Sequence, residues 1–157
     1  MTISFQIEAL TAKQFSCYFS MSERDLAAAS AYVFCSDQRP CYPCRVSLTD
    51  AEVGENVLAL SYRHLAVSGP YDAARPIFVR ENAVQARLEV NEVPEMLRHR
   101  LLSVRGYSKE NLMIDAETIA GQSVERMLTR QFGNQQIEYI QLHNAGPGCF
   151  NCTVKRV

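Results

Sequence analysis

The C-terminal run 137–156, IEYIQLHNAGPGCFNCTVKR, constrains the fold more than any other part of the chain. Two apolar stretches flank Gly146-Pro147-Gly148, and glycine and proline in this arrangement favour a tight reversal of the chain. The pattern therefore predicts a β-hairpin. Because the turn lacks the Lys-Ser/Thr pair and the following helix of a phosphate-binding loop, we expect it to be structural.

Short apolar runs, several of them alternating with polar residues, predict further strands along the chain. They lie at 3–7, 32–35, 45–48, 57–64, 77–80, 101–107 and 113–119. Helices are expected after Ser20 or Ser22, from Pro94, and over 121–132, where Val124, Leu128 and Phe132 share one helical face. Strands that do not alternate strictly with helices are typical of an α+β fold. We predict a single domain over 1–157, with a mainly antiparallel sheet and about three helices.

Composition narrows the expected partners and compartment. A net charge of −1 gives no overall attraction to nucleic acid or to an anionic membrane. The first residues, MTISFQIEAL, do not form the basic and then apolar pattern of a signal peptide. No stretch approaches the ~18 apolar residues of a membrane-spanning helix. We therefore expect a cytoplasmic protein with reduced cysteines, which binds neither nucleic acid nor a membrane.

Two Cys-x-x-Cys pairs, Cys41 with Cys44 and Cys149 with Cys152, leave three interpretations open. The spacing suits a zinc ion held by all four thiolates, provided that Cys149 still lies in the turn. Redox exchange is less favoured, because both pairs precede strands and not helices. The third interpretation is structural, since free cysteine packs as a small hydrophobic residue.

Cys149 is also a candidate nucleophile, because it follows Gly148 at a turn whose backbone N–H groups could face an oxyanion. His143 would then be its base, and Asp115 or Asn144 would orient the imidazole ring. There is a geometric condition. If Asn144 and Cys149 flank a four-residue turn, His143 points to the opposite face of the hairpin.

Three arginines lie within or beside apolar strand runs, where each needs a carboxylate, a carbonyl or an anionic ligand. Their candidate carboxylates are Asp50, Asp115 and Glu81, and the arginines are Arg45, Arg80 and Arg105. His64 ends a strand, and we expect either a structural hydrogen bond or a role in a polar pocket.

Several segments, in this order, resemble a bacterial family known as domain-of-unknown-function family 1203. The segments are PCRVSLTDA (43–51), the triplet Tyr62-Arg63-His64, PYDAARPIFVR (70–80), LLSVRGY (101–107), Ile114-Asp115-Ala116 and HNAGPGC (143–149). The resemblance implies a stand-alone domain of about this length and brings no activity with it. Cys44 and Cys149 occupy positions typical of the family, whereas Cys41 departs from its pattern.

These observations lead to two functional hypotheses. The first is an enzyme or binding protein for a small anionic or polar molecule, with Cys149 as a nucleophile in the enzyme version. Its pocket would combine residues that otherwise lie in apolar segments: His64, Arg80, Arg105, Asp115 and His143, with Asn144 and Arg45 nearby. The alternative is a non-catalytic interaction module with a structural zinc held by Cys41, Cys44, Cys149 and Cys152.

Overall fold

The computed structural model describes residues 2–157 and has an α+β fold with two antiparallel sheets. Within this range there are eight strands: β1 (Phe5–Glu8), β2 (Ala31–Cys35), β3 (Asn56–Leu65), β4 (Ala73–Arg80), β5 (Leu101–Tyr107), β6 (Met113–Ala120), β7 (Tyr139–Asn144) and β8 (Phe150–Arg156). The α-helices are α1 (Glu23–Ala28), α2 (Glu95–Arg98) and α3 (Val124–Phe132), and short 3₁₀ turns occupy Ala12–Gln14, Ser16–Ser20 and Gly121–Ser123. The predicted fold class is confirmed, with the strands divided between two sheets.

The predicted C-terminal hairpin is confirmed as β7 and β8. These strands are central in a five-stranded sheet with the order β1-β8-β7-β5-β6. The Asn144 N–H donates to the Cys149 carbonyl over 2.8 Å, so these two residues flank the four-residue turn. Gly146 and Gly148 have φ values of 84° and 81°, a left-handed conformation that glycine adopts without a Cβ penalty.

The second sheet has the order β2-β3-β4. The strand predicted over 45–48 is wrong, because these residues form a turn. The Leu48 N–H donates to the Cys44 carbonyl over 3.0 Å, and the Ser47 N–H points at the Cys44 sulfur over 3.4 Å. These local bonds hold the turn, and only single bridges, such as Cys44 to Phe78 of β4, connect the segment to its neighbours.

The helices begin close to where their capping residues predict. The Ser22 hydroxyl accepts from the Asp25 N–H over 3.1 Å, so Ser22, and not Ser20, caps α1. Pro94 is the N-cap of α2 and not its first residue. The helix predicted over 121–132 begins with a 3₁₀ turn and becomes α-helical at Val124. None of the helices in residues 2–157 is long and apolar enough to cross a membrane.

Each sheet covers a separate hydrophobic core. The larger core lies between the five-stranded sheet and helices α2 and α3, and includes Leu102, Val104, Leu142 and Phe132. The smaller core lies between the three-stranded sheet and α1, and includes Phe15, Leu26, Leu58 and Ile77. The opposite face of the larger sheet meets the end of β3, where the Tyr62 and Phe150 ring centroids are 6.1 Å apart.

Replacing the leucines of β5 by alanine should show which face of the strand lies in the larger core. Leu102 is fully buried in the larger core, whereas its neighbour Leu101 is 62% exposed. We expect Leu102→Ala to lower the free energy of unfolding by about 2–5 kcal/mol, because it leaves a cavity in the core. The matched variant Leu101→Ala should change it by less than about 0.5 kcal/mol. Urea unfolding of both variants measures the difference, and equal losses would contradict the assigned faces.

Candidate functional site

The most unusual polar residue in the fold is Arg45, whose side chain is only 1% exposed. Its Nε–H donates to the Phe150 carbonyl over 2.7 Å, and Nη1 donates to the Pro43 carbonyl. Nη2 makes no hydrogen bond within residues 2–157, and no carboxylate of that range forms an ion pair with Arg45. Burial lowers the pKa of Arg45 to about 10, and the nearby Cys149 opposes that shift. The guanidinium is therefore a buried positive charge without a neutralising partner in the described chain.

Arg45 lies in the wall of a cavity of about 420 Å³ that is open to solvent. Its lining comes from four separate parts of the chain: Cys41, Pro43 and Arg45; Phe78; Arg100 and Leu101; and Asn144, Ala145, Pro147 and Cys149. The turn before β3, the strand β4, the start of β5 and the β7–β8 hairpin thus meet at one end of the two sheets. The cavity contains thiol, amide and guanidinium groups, a combination suited to a polar ligand.

The second arginine of the cavity, Arg100, is already neutralised. Its Nη2 and Nη1 groups donate to the two oxygens of Asp50 over 2.5 and 3.0 Å, a bidentate ion pair in which Asp50 is buried. Asp50 was predicted to pair with Arg45, Arg80 or Arg105, and that prediction is wrong. Because both Asp50 oxygens accept hydrogen bonds from Arg100, Asp50 does not neutralise the charge of Arg45.

The hairpin turn adds two polar groups to the cavity, the Cys149 thiol and the Asn144 amide. Asn151 is buried and donates from Nδ2 to the Asn144 Oδ1 over 2.7 Å. This bond orients the Asn144 side chain, whose Nδ2 makes no hydrogen bond within the described residues. The Asn144 Nδ2 group therefore remains as a donor for a ligand.

His64 and His143 lie together between the two sheets, with ring centroids 4.8 Å apart. Gln141 joins them: its Oε1 is 2.9 Å from His64 Nδ1 and 3.1 Å from His143 Nε2. The Gln141 Nε2 donates to the His64 carbonyl over 2.9 Å, which fixes the orientation of the amide. Both histidines also contact Phe150.

The surroundings of His143 do not suit a general base. Its Nδ1 is 3.0 Å from the Gly148 carbonyl, which requires a proton on Nδ1. Nε2 then faces a second acceptor, Gln141 Oε1, so only a doubly protonated ring would satisfy both contacts. Burial nevertheless lowers the pKa of His143 to about 3. Burial also lowers the pKa of His64, and the hydrogen bond between His64 Nδ1 and the acceptor Gln141 Oε1 opposes that shift.

Of the five residues predicted to form one polar pocket, the structure brings three together. Arg105 pairs with Gln141 across β5 and β7 and lies on the same sheet face as His143. Its Nε–H donates to Ser103 Oγ over 3.0 Å. Arg105 is close enough to both histidines to oppose their protonation.

The structure does not bring Arg80 and Asp115 to this group. Arg80 pairs with Glu55 at 2.5 Å and, opposite Val57, lies at the far end of the β3–β4 hairpin from His64. Val57 and His64 are seven residue steps apart along β3, or ~23 Å of extended chain. Asp115 pairs with Gly106 and contacts Arg130 of α3 over 2.7 Å, so it lies on the sheet face opposite Arg105. The predicted partners for the arginines are thereby corrected, since Arg80 uses Glu55 and Asp115 uses Arg130.

The four paired cysteines have different environments. Cys44 and Cys152 are buried, whereas Cys41 and Cys149 are partly exposed and line the cavity. Burial raises the pKa of Cys152 to about 12, so its thiol is protonated in the interior. Within residues 2–157 no group of three or more His, Cys, Asp or Glu side chains is placed to hold a metal ion. The predicted four-cysteine zinc site is not assembled.

The predicted dyad of His143 and Cys149 is not assembled either. The turn lies between Asn144 and Cys149, the arrangement that was expected to send His143 to the other face. A register shift between Leu142 and His143 does not reverse this, because His143 still pairs with Phe150 while Asn144 pairs with Cys149. Cys149 therefore lines the cavity without a histidine hydrogen bond within the described residues.

The sequence predictions missed several residues of these sites, among them Arg100, Phe78 and Gln141. Gln141 had a local signal, since it is a polar residue two positions before His143 in a strand and thus shares its face. Arg100 and Phe78 had none, because only the pairing of distant segments brings them to Arg45.

The fold and the site define an α+β protein with a thiol-bearing cavity over a buried arginine. The chain belongs to a family described as "Protein of unknown function (DUF1203)", whose model matches residues 41–156. This confirms the resemblance drawn from the sequence motifs. No curated protein and no solved structure matches the chain significantly. All the residues that line the cavity fall inside the matched range.

The buried state of His143 predicts a dependence of stability on pH. The pKa of His143 falls from 6.5 to about 3 on folding, so below pH 6.5 protons bind preferentially to the unfolded chain. His143 should therefore reduce the free energy of unfolding as the pH falls, by at most ~1.4 kcal/mol per pH unit. Urea unfolding at pH 7.5 and 5.5 should show a larger loss for the wild type than for His143→Gln.

The wild type and His143→Gln contain the same carboxylates. The difference between their losses of unfolding free energy therefore excludes the carboxylate contribution. The glutamine side chain also keeps an N–H group that can donate to the Gly148 carbonyl. Equal losses for the two proteins would mean that His143 does not resist protonation in the folded state.

Proposed function

We propose that this protein binds a small anionic molecule, with a carboxylate or phosphate group, in the cavity beside Arg45. The observation that carries the proposal is the buried Arg45 guanidinium, which has no carboxylate partner in residues 2–157 and borders an open cavity. The ligand would also contact Cys149 and Asn144 of the hairpin turn. His64 and His143 would support the turn from the opposite side of the sheet.

The energetics of the buried charge favour this function. Removing a guanidinium from water costs several kcal/mol, and two carbonyl hydrogen bonds offset only part of that cost. Arginine presents its N–H donors in a planar fork that matches carboxylate and phosphate oxygens. An anion in the cavity would use the free Nη2 group and neutralise Arg45, as Asp50 neutralises Arg100.

The geometry favours a binding role for Cys149 over acid–base catalysis with His143. A thiol nucleophile activated by histidine needs a hydrogen bond between the two, and His143 instead contacts Gly148 and Gln141. Cys149 remains accessible in the cavity, so it is a built-in probe of what enters there.

Alkylation of Cys149 tests the proposal. The anionic reagent iodoacetate should be drawn to the Arg45 charge, whereas neutral iodoacetamide should not. We expect the ratio of iodoacetate to iodoacetamide rate constants to be about tenfold higher at Cys149 than at Cys17, a difference of ~1.4 kcal/mol. Peptide mapping by mass spectrometry follows both cysteines in the same molecule, and Cys17 is an exposed cysteine outside the cavity lining.

Two variants separate the cavity charge from the general surface charge. Arg45→Met keeps most of the side-chain volume and should lower the ratio at Cys149 to that at Cys17. Arg63→Met removes an exposed arginine paired with Asp72 and should leave the ratio at Cys149 unchanged. Circular dichroism confirms that both variants are folded. Equal ratios at Cys149 and Cys17 in the wild type would refute anion binding at Arg45.

A further inference from the structure

One face of the three-stranded sheet carries aromatic rings that continue from the cavity. The register places Tyr32, Ala59 and Phe78 side by side across β2, β3 and β4. Phe34 lies two residues further along β2 on the same face. The opposite face of this sheet carries Val33, Leu58 and Val79 and is buried in the smaller core.

Tyr42, from the loop before β3, completes a row of rings on this face. The Tyr42 centroid is 5.3 Å from that of Phe78 and 4.8 Å from that of Phe34. Phe34 is in turn 5.7 Å from Tyr32, which is 61% exposed. We call Phe78, Tyr42, Phe34 and Tyr32 the aromatic row. Tyr32 is exposed and the other three rings are half-buried, although phenylalanine is most often fully buried.

Phe78 connects the aromatic row with the Arg45 cavity. It lines the cavity, and the Arg45 guanidinium carbon is 5.8 Å from the centre of its ring. A group that binds Arg45 is therefore adjacent to an exposed aromatic surface. The Tyr42 hydroxyl donates to Asp37 over 2.7 Å, and this bond raises the pKa of Tyr42 to about 12, so its ring remains an uncharged phenol.

We propose that the ligand of the cavity is an aromatic anion, whose charged group binds Arg45 while its planar ring lies on Phe78 at the start of the aromatic row. This inference rests on the proposed function and specifies the chemical class of the ligand. Aromatic rings pack on one another by offset or edge-to-face contacts, which gives a planar ligand an advantage over an inorganic anion. Phe78 borders both the cavity and the aromatic row. One small ligand can therefore contact Arg45 with its charged group and Phe78 with its ring.

Protection of Cys149 against iodoacetamide tests anion binding at Arg45 and the aromatic nature of the ligand separately. Phenyl phosphate and inorganic phosphate carry the same anionic group, and only phenyl phosphate has a ring. We expect phenyl phosphate to protect Cys149 at a concentration roughly tenfold lower, which corresponds to about 1.4 kcal/mol. Cys17 in the same sample should be protected by neither compound.

Phe78→Leu tests where the ring of the ligand lies, because leucine keeps an apolar side chain and removes the aromatic face. The tenfold preference for phenyl phosphate should disappear in this variant. The ratio of the two protecting concentrations is compared, because any change in Arg45 affects both compounds equally. Tyr71→Leu is the matched control, since Tyr71 packs on Tyr107 outside the cavity lining. It should keep the preference. Thermal unfolding establishes that both variants are folded.

Three other outcomes are possible, and each contradicts a different proposal. Equal protection by the two phosphates would refute the aromatic ligand and leave anion binding intact. A preference that persists in Phe78→Leu would refute the placement on the aromatic row. If neither phosphate protects Cys149, anion binding at Arg45 fails, and the inference fails with it.

Discussion

The structure depends on one interaction, the contact of the Arg45 guanidinium with the carbonyls of Pro43 and Phe150. Pro43 belongs to the loop beside the three-stranded sheet, and Phe150 begins β8 in the five-stranded sheet. Arg45 thus links two sheets that have separate cores, and the hydrogen bonds between Gln141 and His64 form a second link. Since hydrogen bonds to a charged donor are stronger than neutral ones, Arg45 fixes the position of the hairpin turn relative to β4.

The same contact creates both polar sites. By holding Phe150 in place, it positions one side of the hairpin against His64 and the other side over the cavity. The histidine side is closed and satisfied by Gln141, apart from one conflict between acceptors at His143. The cavity side is open and has an unneutralised charge. This contrast is the reason why the functional proposal rests on Arg45 and Cys149 and not on the histidines.

Local structure was largely predictable, because alternation, capping residues and Gly-Pro-Gly depend on neighbours in the sequence. The hairpin and α3 followed from such patterns, and the register even anticipated that His143 would face away from Cys149. Arg45 was recognised as a buried cation, but its surroundings were not, because Arg100 competes for Asp50 across fifty residues. Arg80 and Asp115 were grouped with His64 wrongly for the same reason. Their ion pairs with Glu55 and Arg130 depend on sheet order, which no local pattern contains.

The position of β8 has a consequence for how the chain acquires its structure. β8 lies between β1 and β7, and Phe5 pairs with Arg156, so the five-stranded sheet joins opposite ends of the described chain. In the order of synthesis β1 precedes β8, so β1 lacks this neighbouring strand until β8 has been made. Contacts so distant in sequence slow folding, because a long loop must close before they form. The smaller sheet uses only strands within Ala31–Arg80, so its pairings close much shorter loops.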